Sequence, residues 1–290
     1  MNGIIVVNKP KGKTSHDIVY IMRRLTGVRR VGHTGTLDPN ATGVLPICIG
    51  NATKAAEYIT DGNKAYRAEM ILGTSTTTQD SSGEIVARKS VDIDNAQIVN
   101  VVNSFVGAIK QVPPMYSAVK VNGKKLYELA RAGQEIERKS RTIEIFGIDI
   151  LSVDLKNNVV NMDIACSKGT YIRTLCHDIG NKLGCFAHMG ELQRLKSGRF
   201  DIEQSYTIEE LTELSQKSEI NNVLISTDEI FANYMRIDVY GEDERKIKNG
   251  VTLGYSGESG LYRVYGTDGE FLCVSEAGNG ILKMIKSFWC

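Results

Sequence analysis

No stretch of this 290-residue chain reaches the roughly 18 consecutive apolar residues of a membrane-spanning helix. The apolar run at the start, Ile4 to Val7, meets Lys9-Pro10-Lys11 and is too short for the core of a secretory signal. These absences predict a cytoplasmic chain with no membrane partner. Cysteine is sparse: Cys48, Cys166, Cys176, Cys185, Cys273 and Cys290. No two form a Cys-x-x-Cys pair, and none has zinc-finger spacing to His16, His33, His177 or His188. A disulfide framework and a structural zinc are therefore excluded, and most cysteines are expected as small buried hydrophobes. Cys176-His177 is no catalytic dyad, because neighbours on a helix point about 100° apart.

The chain also lacks Gly-x-Ser-x-Gly, His-Glu-x-x-His and a complete Gly-x-Gly-x-x-Gly. Serine hydrolase, zinc protease and Rossmann oxidoreductase thus lack their signatures. Lys11-Gly12-Lys13-Thr14 follows a predicted strand and precedes a helix, as a P-loop does. The Walker pattern needs glycine where Val7 stands, so a nucleotide hydrolase is disfavoured. A basic turn before a helix N-terminus remains suited to phosphate.

Net charge is nearly absent too: 35 Lys and Arg against 34 Asp and Glu leave +1. The distribution is uneven. Residues 1–60 and 101–142 each hold 8 basic and 3 acidic side chains, and 161–200 hold 6 and 3. Residues 201–250 hold 5 basic against 12 acidic. Such asymmetry hints at a polyanionic partner, although on charge alone solvated surface of mixed sign is the better explanation.

What is present is globular: 42% hydrophobic and 24% charged residues. The length suits one large or two ordinary domains. Hydrophobic spacing predicts strands over 3–8, 66–72, 84–88, 141–153 and 159–165, and helices over 16–26, 94–105, 170–183 and 208–214. Ser15 and Thr207 are expected helix caps, and Asn51 is expected to cap a short helix to about Thr60. A turn at Asn122-Gly123 and a short helix at 126–132 belong to a basic excursion over 112–141. Residues 28–50 read as one long glycine- and proline-punctuated loop. Short glycine-separated strands over 261–266, 271–275 and 281–285 predict a small β tail. Strands and helices interspersed in this way are expected to give the α+β class. A boundary is expected near 232, dividing 1–232 from 233–290.

The long loop carries Asp38 among Arg29, Arg30 and His33. Asp before Pro is an ordinary turn former. Between glycines that admit a ligand, it could instead serve as nucleophile or general base if an arginine keeps it ionised. The best distant arginine is Arg173, in Cys166-Ser-Lys-Gly-Thr-Tyr-Ile-Arg, where a strand turns through Gly169 into a helix. Read from residues alone, Arg173 is equally an ordinary surface arginine, and Tyr171 equally a packing residue.

Together these segments resemble the TruB family of tRNA pseudouridine synthases. Asn8 to Ser15 resembles its first motif. Gly32-His-Thr-Gly-Thr-Leu-Asp38-Pro-Asn-Ala-Thr-Gly43-Val-Leu-Pro46 resembles its second almost without departure. Ser167 to Leu175 resembles the third, and Val112-Pro-Pro-Met-Tyr-Ser-Ala-Val-Lys120 also matches. The likeness covers about residues 1–200 and departs at Gln193, where the family's usual Leu-Arg-Arg reads Leu192-Gln193-Arg194.

The resemblance implies the pseudouridine-synthase fold, α+β with a mixed, mostly antiparallel sheet flanked by helices and loops, and isomerisation of uridine to pseudouridine at position 55 of the tRNA T loop. It implies no cofactor: neither metal, nucleotide nor flavin. The target base must leave its stack before enzyme groups can reach it. Asp38 would be the catalytic carboxylate, by attack on the base, attack on C1′ or removal of a sugar proton. Arg173 would pair with it. Tyr66 would stack on the flipped uracil and help remove its C5 proton. Tyr171 and Leu192 would line the base pocket, His33 would sit near the flipped nucleotides, and Lys9 would support the site or contact phosphate. The 112–141 excursion would close on the T arm. The tail is similar to the RNA-binding PUA-type domain and would meet the acceptor arm. No protein partner is implied and a monomer is expected. The competing class is a non-catalytic RNA-binding or chaperoning protein.

Overall fold

The computed structural model describes residues 1–121 and 123–289. Strand β1 (Gly3–Lys9) is a nearly unbroken buried run, as a strand covered on both faces requires. Helix α1 (Ser15–Thr26) buries Ile18, Val19 and Met22 and stops at Gly27, in the left-handed conformation at φ 69°. Its cap is Thr14 and not the expected Ser15. The Thr14 hydroxyl accepts from the Asp17 amide while the Asp17 carboxylate accepts from the Thr14 amide. Ser15 is buried and turned to the loop: its hydroxyl donates to Leu37 O at 3.1 Å and accepts from the Leu37 amide at 2.9 Å.

The stretch 28–50 is not one loop. It contains β2 (Val31–His33) and β3 (Thr42–Ile49). From Gly43 to Ile49 every residue of β3 is buried. A strand covered on both faces shows neither alternation nor helical period, so its glycine and proline dominated the sequence reading. Only 28–30 and 34–41 remain as loop. Asn51 is no cap either; a 3₁₀ turn (Gly50–Ala55) leads into α2 (Ala56–Thr60) without a side-chain cap.

Strand β4 (Lys64–Leu72) alternates, burying Lys64, Tyr66, Ala68, Met70 and Leu72. A hairpin of β5 (Thr74–Thr76) and β6 (Ile85–Arg88) follows. Helix α3 (Asn95–Asn103) is capped reciprocally by Asp94 and Gln97. Next come β7 (Gly107–Gln111), the short β8 (Lys120–Val121) and β9 (Lys124–Lys125), and α4 (Leu126–Arg131). The expected Asn122-Gly123 turn involves Asn122, outside the described residues. Strands β10 (Arg141–Asp154) and β11 (Val159–Cys166) pair antiparallel, with Asn158 at φ 58° in their turn. Helix α5 (Ile172–Leu183) precedes β12 (Ala187–Ser197) and β13 (Phe200–Asp201). Helix α6 (Ile208–Gln216) is capped by Thr207, as the sequence predicts, and Glu210 closes the box. The tail contains β14 (Met235–Asp238), α7 (Gly241–Lys248), β15 (Leu253–Gly254), β16 (Gly260–Tyr265), β17 (Phe271–Gly278) and β18 (Ile281–Ser287). Periodicity hides α7, which buries only Ile247; acidic residues in its first turn and basic ones in its last are its signals.

Two compact units result. One holds Met1–Pro39, Leu45–Asp61 and Glu203–Cys290. In it β1 and β2 lie beside the later part of β3, and the tail strands form a sheet ordered β14-β16-β17-β18-β15. Only β14 and β16 run parallel there. The other unit holds Asn40–Val44 and Gly62–Ile202. Its sheet runs from the first residues of β3 through β12, β4, β11 and β10 to β7. The β3–β12 pair is parallel and the rest antiparallel. Helix α5 packs on β12 and β4, and α3 packs on α5. No helix among the described residues is long and apolar enough to cross a membrane.

Candidate active site

The Asp38 loop is tied down inside the first unit. Lys9, at the end of β1, is wholly buried. Its ammonium donates to Lys13 O at 2.6 Å, Pro10 O at 2.9 Å and Pro39 O at 3.0 Å. The Gly12 amide also donates to Pro39 O, at 2.9 Å. Together with the two hydrogen bonds between Ser15 and Leu37, these contacts fix the residues on either side of Asp38. Asp38 itself is half-buried. His33 ends β2 opposite Ile47, and the next amide, Thr34, donates to Pro46 O at 3.0 Å. Of the two roles open to Lys9, burial favours support of the loop.

The other unit holds Tyr66, Tyr171, Arg173 and Leu192. Tyr66 on β4 is nearly buried and sits opposite Arg194 of β12. Arg194 is only 1% exposed. It donates from Nε to Val44 O at 2.7 Å and hydrogen-bonds Tyr66. Burial pushes its guanidinium pKa down while Tyr66 works against that. Gly43 has φ 99°, and a Cβ there would meet Arg194 O at 2.2 Å, so only glycine lets these strands close. Leu192 is 8% exposed, and its carbonyl accepts from Thr42 Oγ1 at 3.4 Å. Gln193, where the family's pattern is broken, lines an open cavity of about 320 Å³ together with Leu192, Thr42, Arg67 and Asn161.

Arg173, in the first turn of α5, is 5% exposed, so the surface-arginine reading fails. It donates from Nη2 to Tyr116 O at 3.0 Å and from Nη1 to Thr78 O at 3.3 Å. Nη1 also lies 3.5 Å from Asp80 Oδ2. Asp80 is held in turn by the Thr78 hydroxyl at 2.6 Å and the Ser82 amide at 2.9 Å. The Asp80 turn is docked through Gln79, at φ 63°. Gln79 Oε1 accepts from the Thr174 hydroxyl at 2.8 Å, and its carbonyl accepts from the Met189 amide at 3.0 Å. Sequence reasoning misses Asp80, because an aspartate before Ser-Ser-Gly looks like any turn former. It also misses Gln111, whose side chain grips the backbone of Tyr171. Among the described residues, no cluster of three or more His, Cys, Asp and Glu side chains is arranged to hold a metal ion.

One unit thus holds a backbone-pinned aspartate loop, and the other a buried arginine at a helix start, ion-paired with Asp80. Comparison with known proteins bears on the family. The description "TruB family pseudouridylate synthase (N terminal domain)" matches residues 23–172, and "tRNA pseudouridylate synthase B C-terminal domain" matches 173–232. A Bacillus cereus protein named tRNA pseudouridine synthase B is 47% identical over 259 residues, covering 87% of this chain and 84% of the relative. The chain belongs to the TruB family. A Clostridium kluyveri protein of the same name is 44% identical over 294 residues, covering 99% of this chain and all of the relative. The TruB chain is thus an enzyme, an isomerase of the pseudouridylate synthase class. Its fold also matches a solved Cbf5-Nop10-Gar1 complex, with a TM-score of 0.73 and 24% identity over 99% of this chain and 85% of the other. The α+β pseudouridine-synthase fold, with its β-rich C-terminal part, follows.

Proposed function

We propose that this TruB chain isomerises uridine 55 in the T loop of tRNA, with Asp38 as the catalytic carboxylate. The observation that carries this reading is the Asp38 loop. Its sequence matches the family's second motif, and Lys9, Gly12 and Ser15 hold its flanks by hydrogen bonds. A carboxylate fixed by its backbone needs little reorganisation when the substrate arrives. In the reaction the N1–C1′ bond of uridine breaks, the uracil turns over, C5 bonds to C1′, and the C5 proton leaves as N1 gains one. Nothing is oxidised, reduced or released.

Arg173 pairs with Asp38 during the reaction, keeping it ionised and directed. Its rigid seat on Tyr116 O, Thr78 O and Asp80 supports such a role. Tyr66, braced by Arg194, stacks on the flipped uracil, and Tyr171 and Leu192 line its pocket. His33 meets the flipped nucleotides. The excursion 112–141 closes on the T arm, and 233–290 serves as a PUA-like module for the acceptor arm. The enzyme works as a cytoplasmic monomer without a cofactor.

The test is pseudouridine formation on unmodified T-arm RNA. Asp38→Asn is expected to abolish product while RNA binding stays within about threefold, since the backbone ties do not use the carboxylate. Turnover by that variant at the native rate overturns the assignment. Absence of product from the unaltered protein would leave RNA binding as its activity.

A further inference from the structure

The side chain of Gln111 and the backbone of Tyr171 form a closed pair. Gln111 ends β7 and is paired with Arg141 of β10. It is 2% exposed. Its Nε2 donates to Tyr171 O at 3.0 Å, and its Oε1 accepts from the Tyr171 amide at 2.8 Å. Both polar atoms of one amide therefore meet both polar atoms of one backbone residue, 60 positions away in sequence. This is the exchange that two directly opposed residues make in an antiparallel ladder, here made by a side chain.

Tyr171 needs such a partner. It stands at the N-cap of α5 in an extended conformation, φ −101° and ψ 106°, with no side-chain cap of its own. Its carbonyl also accepts the first helical bond, from the Leu175 amide at 3.0 Å. With the amide and carbonyl both fixed, the direction of the Tyr171 Cα–Cβ bond is fixed as well. The ring, which is half-buried, then starts from one defined origin.

We infer that Gln111 is a positioning residue that sets the Tyr171 ring against the target base. This rests on the reading that Tyr171 lines the base pocket. Glutamine is suited to the task because one planar amide offers a donor and an acceptor side by side. Methionine keeps the length but offers neither. Glutamate keeps the acceptor and loses the donor. Asparagine keeps both groups but is one methylene short.

The experiment is steady-state kinetics on unmodified T-arm RNA with Gln111→Met, Gln111→Glu, Tyr171→Ala and the double variant Gln111→Met/Tyr171→Ala. Each is checked first for native circular dichroism and melting. Misplacing a stacking ring costs turnover more than affinity, so Gln111→Met is expected to lower kcat about 10- to 100-fold with KM changed less than about threefold. Gln111→Glu is expected to fall between it and the native enzyme. In the Tyr171→Ala background Gln111→Met should cost nothing further. An unchanged kcat for both Gln111 variants, or an equal loss with and without the Tyr171 ring, overturns the inference. If Tyr171→Ala itself turns over normally, the base-pocket reading of Tyr171 fails instead, and the inference falls with it. Should Gln111→Met not fold, Gln111→Glu and its double variant with Tyr171→Ala decide the matter in the same way.

Discussion

At the residue scale, polar groups that a count of charges would place at the surface are interior ties. Lys9 is the clearest. A buried ammonium is costly unless hydrogen-bonded, and here three carbonyls from two segments converge on it. Lys9→Met removes this donor from Pro10 O and Lys13 O, at about 1–3 kcal/mol for an acceptor that water cannot reach, while Pro39 O keeps the Gly12 amide. We expect a lower urea midpoint with an unchanged slope, and a loss of turnover beyond what the unfolded fraction explains. Lys9→Arg should not restore it, because a planar fork cannot meet three converging carbonyls as a compact ammonium does. Full stability in Lys9→Met would show the tie to be dispensable. Asp38 could be proposed from sequence because its neighbours form a long, specific motif. Asp80 was not, since its importance comes from lying 3.5 Å from an arginine 93 positions further on.

At the element scale, helix ends were read well where the capping pattern is local. The expected cap Thr207 closes with Glu210 within four residues. Ser15 was misassigned because Thr14 next to it is chemically equivalent, and only the position of Leu37 decides which hydroxyl turns inward. Strand β3 was missed for a similar reason: its burial on both faces comes from neighbours distant in sequence. A carboxylate in the tail gives a prediction at this scale. Glu244 in α7 bonds Lys248 and the Thr267 amide and hydroxyl, which hold its pKa down at about 2 from an ordinary 4.5. A depressed folded-state pKa means that the unfolded chain binds the proton more tightly between those values. The contribution is therefore complete above about pH 4.5 and is lost as pH falls toward 2. Glu244→Gln should flatten the decline in melting temperature across that window and leave its shape above pH 5 unchanged. An identical acid profile in the variant would contradict the assignment.

At the scale of the whole molecule, the tail is joined to the segment before β4 by an aromatic hub. Phe231 is 1% exposed and meets Tyr58, Tyr234, Phe271 and Phe288 at centroid distances of 4.9, 5.5, 6.0 and 5.5 Å. Lys286 adds an ion pair to Glu57 at 2.7 Å. Phe231→Ala should cost about 3–5 kcal/mol by calorimetry or urea titration. Because the hub serves residues on both sides of 232, proteolysis of that variant should release tail fragments earlier than in the native protein. Charge also reads differently once folded. Of the six cations in 161–200, Arg173 and Arg194 are buried, so that part of the basic excess faces no solvent. Arg29 and Arg30 remain exposed. RNA affinity is expected to fall roughly tenfold or more between 50 and 200 mM salt, and Arg29→Ala should lower the log–log slope by about one. A flat salt response would remove phosphate contact from the account.

The sequence by itself determined the family, the α+β class, the aspartate loop and most helix boundaries. Those follow from contiguous patterns: a long motif, hydrophobic period, and caps completed within one turn. Tertiary structure alone decided that Lys9 is a buried tie, that Asp80 is the ion-pair partner of Arg173 within its unit, that Gln111 grips Tyr171, and that 28–50 contains two strands. Each of these depends on groups brought together from remote positions. Their signal lies in a distance, and no window of neighbouring residues carries it.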